Sequence, residues 1–268
     1  MRFSKLFYIS IFTILVFTFF AMFAPHISPY DPNEINLKLI FSPPSKFHIF
    51  GCDSLGRDIL SRVIYGSRIS LSIGIVVVLI TSVFGIFYGA ISGFFGGVID
   101  MILMRIVDIL LAFPGILLAI ALAGILGPSF LNIIFALSLM GWTGYARIVR
   151  AQVLSLKERD FVLSAKLSGS NIFYILIFHI IPNVLPYVLV EASFGVGSVI
   201  LAESTLSFLG LGPKDFPSWG GMLNEGVENL LFAPHISIFP GIAIMLIVLS
   251  FNFLGDELSE ILSKKDKY

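Results

Sequence analysis

The chain has 268 residues, of which 57% are hydrophobic and 13% are charged. Soluble domains are about 45–50% apolar and about 25% charged, so the charged side chains here are too few to cover a water-soluble globule of this size. The 17 Lys and Arg residues balance the 17 Asp and Glu residues, which excludes the net basic field typical of nucleic-acid binding.

A single cysteine, Cys52, is present in the chain. One cysteine excludes an internal disulfide framework and a cysteine-based metal cluster. The four histidines are scattered, without the spacing of a metal site. The sequence therefore predicts a polytopic membrane protein in a lipid bilayer, with no metal site and no nucleic-acid partner.

The first apolar stretch runs from about Leu6 to Ala24. A helix needs about 20 apolar residues to cross the hydrocarbon core, whereas the apolar region of a cleaved signal peptide is only about 7–15 residues long. Residues 1–24 are therefore predicted to be a retained membrane anchor.

Residues 25–68 are polar and are predicted to form an extracytoplasmic segment. The prolines in its first half disfavour a helix there. From Ser54 to Arg68 the apolar residues fall at helical spacing, which predicts an amphipathic surface helix that leads into the next span.

Further apolar stretches bring the predicted number of transmembrane helices to about six in an all-α fold. Residues 69–260 form the predicted transmembrane domain, and residues 261–268 a cytoplasmic tail. The further spans are predicted at Ile69–Phe87, Met101–Leu126, Leu131–Tyr145, Val184–Leu201 and Pro234–Leu254, with a loop over Ser204–Leu231 between the last two.

The positive-inside rule predicts that both chain termini are cytoplasmic. With the N-terminus inside, eleven Lys and Arg residues lie on the inner side: Arg2, Lys5, Arg105, Arg147, Arg150, Lys157, Arg159, Lys166, Lys264, Lys265 and Lys267. Six lie on the outer side: Lys38, Lys46, Arg57, Arg62, Arg68 and Lys214. Three of these six, Arg57, Arg62 and Arg68, form a cluster that runs against the rule.

The longest polar segment between spans on the predicted inner side is Arg147–Asn171, and with the residues that follow it forms an inner segment at 147–176. Its apolar and charged residues follow a helical rhythm that stops at Gly169, as expected at a helix C-terminus. The pattern fits both a solvated connecting loop and a short helix that docks onto a partner.

Three carboxylates, Asp108, Glu191 and Glu203, fall within or beside apolar stretches. Such groups need a partner or a water-filled path. Asp108 and Glu191 are candidates for the translocation path; the alternative is hydrogen bonding between spans, or a salt bridge such as one from Asp108 to Arg105. Gly85, Gly89 and Gly93 lie at four-residue spacing and indicate close helix packing, within the subunit or across a dimer.

Several ordered sequence blocks carry a resemblance to a known family. Ser164-Ala165, Gly169 and Pro182 have the spacing of the cytoplasmic "EAA" signature of ABC-transporter permeases. Residues 51–71, 203–220 and the stretch from Asp108 to Pro114 are similar to further blocks of the same family. The chain thus resembles the C-type permease of the dipeptide, oligopeptide and nickel importers. It departs from the signature at Leu163 and Ser164, which stand where the family has an acidic residue and an alanine.

The resemblance implies a type I ABC importer permease fold. It also implies that Lys157–Ser170 docks onto a separate ATPase and acts as a rigid lever, with Leu163, Ser164, Ala165, Gly169 and Pro182 as the coupling residues. Leu163 would pack in a hydrophobic groove instead of offering a polar contact. The implied partners are a second homologous permease, two cytoplasmic ATP-binding subunits and an extracytoplasmic solute-binding protein, with the complex in the cytoplasmic membrane.

The chain contains no G-x-x-x-x-G-K-[ST] motif, the phosphate-binding loop of ATPases. It is therefore predicted not to be an enzyme and to need no cofactor of its own. ATP and Mg are predicted to bind to the partner ATPases. The alternatives are an ion-coupled secondary transporter that uses intramembrane carboxylates, and a membrane-embedded enzyme, for which no catalytic set is visible. The transported solute, whether a peptide, a nickel chelate or an oligosaccharide, is not encoded in any motif.

Overall fold

A computed structural model describes residues 4–213 and 215–265. Within these ranges the chain is built of helices and connecting segments, without a β-strand. Arg2, Lys214 and Lys267, which entered the orientation count, lie outside the described residues, as does the end of the predicted tail.

The first helix, α1, covers Lys5–Ile27 and matches the predicted anchor. The Ser4 side chain caps it by accepting a hydrogen bond from the Phe7 N–H. The helix continues through Pro25, contrary to the expectation that the prolines end it. Pro25 lies in the last turn, where the missing N–H removes only one helical hydrogen bond.

The second helix, α2, covers Ile59–Phe95 without interruption. At about 1.5 Å per residue, its 37 residues span about 55 Å. The helix predicted from Ser54 to lead into the span begins later, at Ile59, where the Asp58 side chain caps it, and it is continuous with the membrane span. The polar residues at its start, such as Arg62, are buried by the surrounding protein and not placed at a surface.

The third predicted span is not one helix but a broken pair. Helices α3 (Gly97–Leu111) and α4 (Gly115–Leu126) are bent by 76° at the short break between them. The break contains Phe113-Pro114, and the residue before a proline is driven out of the helical conformation. The prediction of a continuous span overlooked this constraint.

Helix α5 (Phe130–Leu156) is followed by α6 (Asp160–Leu167) and by a helical run of three parts. These parts are α7 (Ile172–Ile175), a π-helical turn (Leu176–Ile180) and α8 (Ile181–Phe208). The chain ends with α9 (Trp219–Val227) and α10 (His235–Lys265). The predicted loop over residues 204–231 thus contains the end of α8 and the whole of α9.

Within residues 4–213 and 215–265, four helices are long and apolar enough to cross a membrane, and the bent pair is a fifth candidate. The prediction of six spans also counts α5. This helix has 27 residues, which is long enough to cross a bilayer. Its second half is polar, however, so it is not among the helices that are apolar enough to be span candidates.

Glycines let α2 and α5 pack at close range. A methyl group on Gly89 would lie 2.3 Å from the Ala146 backbone oxygen, and one on Gly85 would lie 2.5 Å from the Tyr145 Cβ. The glycines at four-residue spacing therefore allow close helix packing within the subunit, which is one of the two interpretations given above; the other was packing across a dimer.

Replacing Gly89 by alanine is expected to destabilise the protein by about 1–3 kcal/mol, because the backbones of α2 and α5 must separate. Gly124 is the matched control: it is also helical, but a methyl group there meets no atom within 4 Å. Gly124→Ala should be neutral, or stabilising by up to about 1 kcal/mol. The thermal midpoint in detergent, followed by size-exclusion chromatography, measures both, and equal midpoints would contradict the packing argument.

The two ends of α2 define the two ends of the molecule. At its start, the Trp219 indole N–H of α9 donates to the Val63 carbonyl at 2.9 Å, and His235 at the start of α10 contacts the Cys52 carbonyl. At its other end, the Lys157 ammonium donates to the Gly93 carbonyl at 3.0 Å. The 51–62 region and α6 therefore lie at opposite ends of the bundle.

Candidate functional site

The predicted coupling segment forms a short helix that is closed at its C-terminus by a glycine. Helix α6 ends at Leu167, and Gly169 follows with a φ of +79°. The Ser170 N–H donates to the Ala165 carbonyl at 3.1 Å, and the Gly169 N–H donates to the Lys166 carbonyl at 3.0 Å. These two bonds form a Schellman motif, in which glycine tolerates the left-handed conformation.

One face of α6 anchors it to the bundle. Val162 is fully buried and belongs to the same hydrophobic cluster as Ile175, Leu176 and Ile180 of the following helical run. The Lys166 ammonium lies 4.8 Å from the centre of the Phe94 ring, at the end of α2. Helix α6 is therefore held against both α2 and the run that continues into α8.

The opposite face of α6 is apolar and exposed. Leu163 is 43% exposed and Leu167 is 90% exposed, and their four-residue spacing places them on the same side of the helix. The two leucines therefore form a small apolar ridge on a segment whose other exposed residues are mostly polar. Ser164 is exposed, whereas Ala165 is partly buried against the core.

Sequence reasoning named Leu163 but not Leu167. The resemblance directed attention to the signature positions, and Leu167 falls outside them. The i, i+4 relation between the two leucines was the available signal.

A four-residue turn, 168–171, links α6 to α7, and the chain is helical from Ile172 to the end of α8. Asn171 caps α7 by accepting a hydrogen bond from the Phe173 N–H at 3.0 Å. The π-helical turn then leads to Pro182, which lies at the first positions of α8, where a missing N–H is tolerated. Only this short turn, closed by the Gly169 motif, separates α6 from the helical run that ends in α8.

An ion pair stiffens the same end of the bundle. The Arg150 guanidinium of α5 contacts Asp100 of α3 through two hydrogen bonds of 2.5 and 2.6 Å. The Ser92 hydroxyl of α2 donates to the same carboxylate. This contact joins three helices next to the point where α5 leads into α6.

At the opposite end, four charged side chains form a buried cluster that the sequence alone did not reveal. The Arg62 guanidinium contacts Asp53 and forms two-pronged hydrogen bonds to Glu225 of 2.7 and 3.0 Å. Arg57 contacts the same two carboxylates, each at 2.7 Å. The cluster joins the segment before α2 to α9, and its two carboxylates neutralise Arg57 and Arg62.

Cys52 lies beside this cluster and is fully buried. Burial, with the neighbouring charges of Asp58 and Asp53, raises the pKa of the Cys52 thiol to about 11. The thiol is therefore protonated at neutral pH and unreactive while the segment is folded.

The three carboxylates in apolar surroundings have different environments. Glu203 of α8 is fully buried and accepts hydrogen bonds from the Ser70 and Ser207 hydroxyls at 2.9 and 2.7 Å. The hydrogen bond from Ser70 links α2 to α8. Asp108 of α3 is exposed and forms no salt bridge with Arg105 or any other described residue. Glu191 of α8 is partly buried and lies against Gly144 of α5.

Within the described ranges, no group of three or more His, Cys, Asp or Glu side chains is arranged to hold a metal ion. The functional features are thus the exposed face of α6, the charged cluster at the other end, and the carboxylates between them.

Residues 85–267 match the family model of the binding-protein-dependent transport system inner membrane component. Residues 1–44 match the model of the N-terminal TM domain of oligopeptide transport permease C. Together the two models include α6 and most of the remaining helices.

Curated relatives are similar over nearly the whole chain. A dipeptide transport system permease protein of Alkalihalophilus pseudofirmus is 42% identical over 265 residues, which cover 98% of this chain and 87% of the relative. A glutathione transport system permease protein of Pectobacterium atrosepticum is 42% identical over 256 residues, covering 95% and 85%. A dipeptide transport system permease protein of Haemophilus influenzae is 39% identical over 261 residues, covering 95% and 88%.

Proposed function

The chain belongs to the family of binding-protein-dependent transport system inner membrane components, and from this membership we propose that it carries peptides across the membrane. It is a permease subunit of an ATP-driven importer in the inner membrane, and ATP hydrolysis belongs to separate subunits. The ion-coupled alternative has no support from the relatives. The peptide class is supported by the relatives named for dipeptide and glutathione transport.

The observation that carries the coupling proposal is the exposed apolar face of α6. Leu163 and Leu167 offer a hydrophobic ridge to a cleft on a cytoplasmic ATPase, in agreement with leucine standing at the usual acidic position. Ser164 and Ala165 complete the helix, Gly169 closes it, and Pro182 begins α8. ATP and Mg bind to the ATPase, and the resulting motion reaches the spans through α5 and α8.

The proposed assembly contains a second permease of the same family, two ATP-binding subunits and an extracytoplasmic solute-binding protein. The orientation of the chain in the membrane follows from the proposed contact of α6 with a cytoplasmic ATPase, because the structure places both chain ends at the α6 end. The α10 helix starts beside Cys52 and runs antiparallel to α8, where Gly197 contacts Val248 and Phe194 contacts Gly255. Its last residues therefore lie at the α6 end, and the Ser4 N–H bonds Glu257 there. Both chain ends are then cytoplasmic.

On this orientation, residues 25–68 and 204–231 face the solute-binding protein. The boundaries proposed for the parts remain 1–24 for the anchor, 25–68 for the outer segment, 69–260 for the transmembrane domain with the coupling segment at 147–176, and 261–268 for the tail. The charged cluster of Asp53, Arg57, Arg62 and Glu225 holds the two outer parts together.

Asp108 and Glu191 are proposed to line the translocation path. Asp108 is an exposed carboxylate on an apolar helix and forms no salt bridge with a described residue, which fits a water-filled passage. Asp108→Asn and Glu191→Gln should each lower peptide uptake about tenfold, the scale of one lost hydrogen bond to a charged group, while assembly stays intact. Radiolabelled peptide uptake measures this, and unchanged uptake in both variants would exclude the path assignment.

The proposed function is tested by reconstituting the complex in liposomes and supplying ATP on the side of the membrane where the ATPases are bound. Uptake of a radiolabelled dipeptide should require ATP and the loaded binding protein. Uptake driven by a proton gradient without ATP would instead identify an ion-coupled transporter. ATP-driven uptake of a solute other than peptides would keep the permease and exclude the proposed substrate class.

A further inference from the structure

A cavity of about 320 Å³ lies beside the first turns of α2. Its lining combines the aromatic rings of Tyr65, Phe130 and Phe216 with Pro217, Ser72 and the guanidinium-bearing Arg68. A cavity of this size, largely apolar with a few polar groups, has the composition of a small-molecule site. No carboxylate among the described residues lines it.

Arg68 differs from the other two arginines of the outer cluster. Arg57 and Arg62 are neutralised by Asp53 and Glu225. Arg68 is exposed, and it forms no salt bridge or hydrogen bond with another residue of the described ranges. A guanidinium that borders an apolar cavity without a counter-charge has its donors free to pair with an anionic ligand.

The cavity connects a polar region with an apolar helix face. Phe216 and Pro217 also line a second cavity, of about 260 Å³, whose walls include Arg62, Asn224 and Glu225. In the other direction, Arg68 and Ser72 begin an exposed stripe on α2 that continues through Ile75, Leu79, Val83 and Phe87 at helical spacing. The Arg68 cavity therefore lies where a polar outer surface meets the exposed length of the span.

We propose that Arg68 binds the C-terminal carboxylate of the transported peptide in this cavity, with the rings of Tyr65, Phe130 and Phe216 contacting the peptide's apolar side chain. This inference rests on the proposed peptide function and adds a site to it. Guanidinium and carboxylate form paired, charge-assisted hydrogen bonds. Every peptide with a free C-terminus carries this carboxylate, so the contact serves peptides of differing sequence.

The test compares a free acid with its amide. Equilibrium binding of radiolabelled trialanine and of trialanine amide is measured on the full permease–ATPase complex in nanodiscs, without the solute-binding protein. Arg68→Gln should weaken trialanine binding at least about tenfold, the effect of losing a hydrogen bond to a charged group, and leave binding of the amide unchanged within about twofold. Arg68→Lys should restore part of the lost affinity.

Lys46→Gln is the matched control, because Lys46 is an exposed cation of the same outer segment that lines neither cavity. It should leave both affinities unchanged. An equal loss for the acid and the amide would assign Arg68 to a lipid phosphate or to packing and would overturn the proposal. Absence of saturable trialanine binding to the wild-type complex would also overturn it.

Uptake of trialanine by the wild-type complex, with the binding protein and ATP, distinguishes a failure of the Arg68 site from a failure of the proposed peptide transport. If uptake occurs while Arg68→Gln leaves trialanine binding unchanged, only the Arg68 site is wrong. If the wild-type complex takes up no peptide, the proposed function is wrong, and the site proposal falls with it.

Discussion

Replacing Arg62 by glutamine is expected to destabilise the fold by about 3–5 kcal/mol, the usual effect of breaking a buried ion pair from one side. Arg62 is only 4% exposed and contacts both Asp53 and Glu225. Without it, two carboxylates share the single charge of Arg57. The segment before α2 should then detach from α9.

Cys52 provides the readout for this variant. It is the only cysteine, and its buried, protonated thiol resists maleimide in the folded protein. Arg62→Gln should make the thiol react rapidly at pH 7, whereas Lys46→Gln should leave it protected. Adding Glu225→Gln to Arg62→Gln should restore part of the protection, since it removes one unpaired charge. Equal protection in wild type and Arg62→Gln would show that the cluster does not hold the segment.

The second large effect is expected at α6. Gly169→Trp combined with Ala165→Arg should abolish the stimulation of ATP hydrolysis by the loaded binding protein. The Gly169 backbone has a φ of +79°, which strains any other residue, and Ala165 packs against the core. Together the substitutions distort both the helix cap and the anchored face.

A milder variant separates docking from local folding. Leu167→Asp changes a side chain that is 90% exposed, so it leaves the bundle intact while it places a charge on the proposed docking ridge. It should reduce co-purification of the ATPase at least about tenfold, as expected for an anchor residue worth more than about 1.4 kcal/mol at an interface. The control is Leu231→Asp, a fully exposed leucine in the loop between α9 and α10. An equal loss of ATPase in both variants would contradict a specific role for α6.

The sequence predicted those parts of the fold that depend on local composition. Apolar length identified α1, α8 and α10, and the stop at Gly169 placed the end of α6 within two residues. The glycine spacing of α2 indicated close packing, and the structure identified α5 as its partner.

The failure at the start of α2 has a physical cause in contacts between distant residues. Arg62 looks polar and surface-exposed in a local window, but Glu225, which lies 163 positions later, allows it to be buried. The unbroken start of α2 follows from that burial. The bend at Phe113-Pro114 was a local signal that the apolar length of the stretch concealed.

The same limit applies to the candidate sites. The spacing of Ser164, Ala165, Gly169 and Pro182 predicted a coupling segment at α6, and only the structure separated the anchored face of that helix from its exposed face. Asp108 and Glu191 were selected as ionisable groups in apolar stretches, whereas Glu203, selected in the same way, bonds two serines. The sequence alone could not distinguish a carboxylate that lines a translocation path from one that forms a hydrogen bond between helices.

The most direct measurement of the central claim is ATP hydrolysis by the purified complex in lipid, with and without the loaded binding protein. We expect the wild-type chain to co-purify with an ATPase whose turnover rises when the loaded binding protein is added, and we expect no rise with Gly169→Trp plus Ala165→Arg. A wild-type chain that neither co-purifies with an ATPase nor changes its turnover would contradict the coupling role of α6.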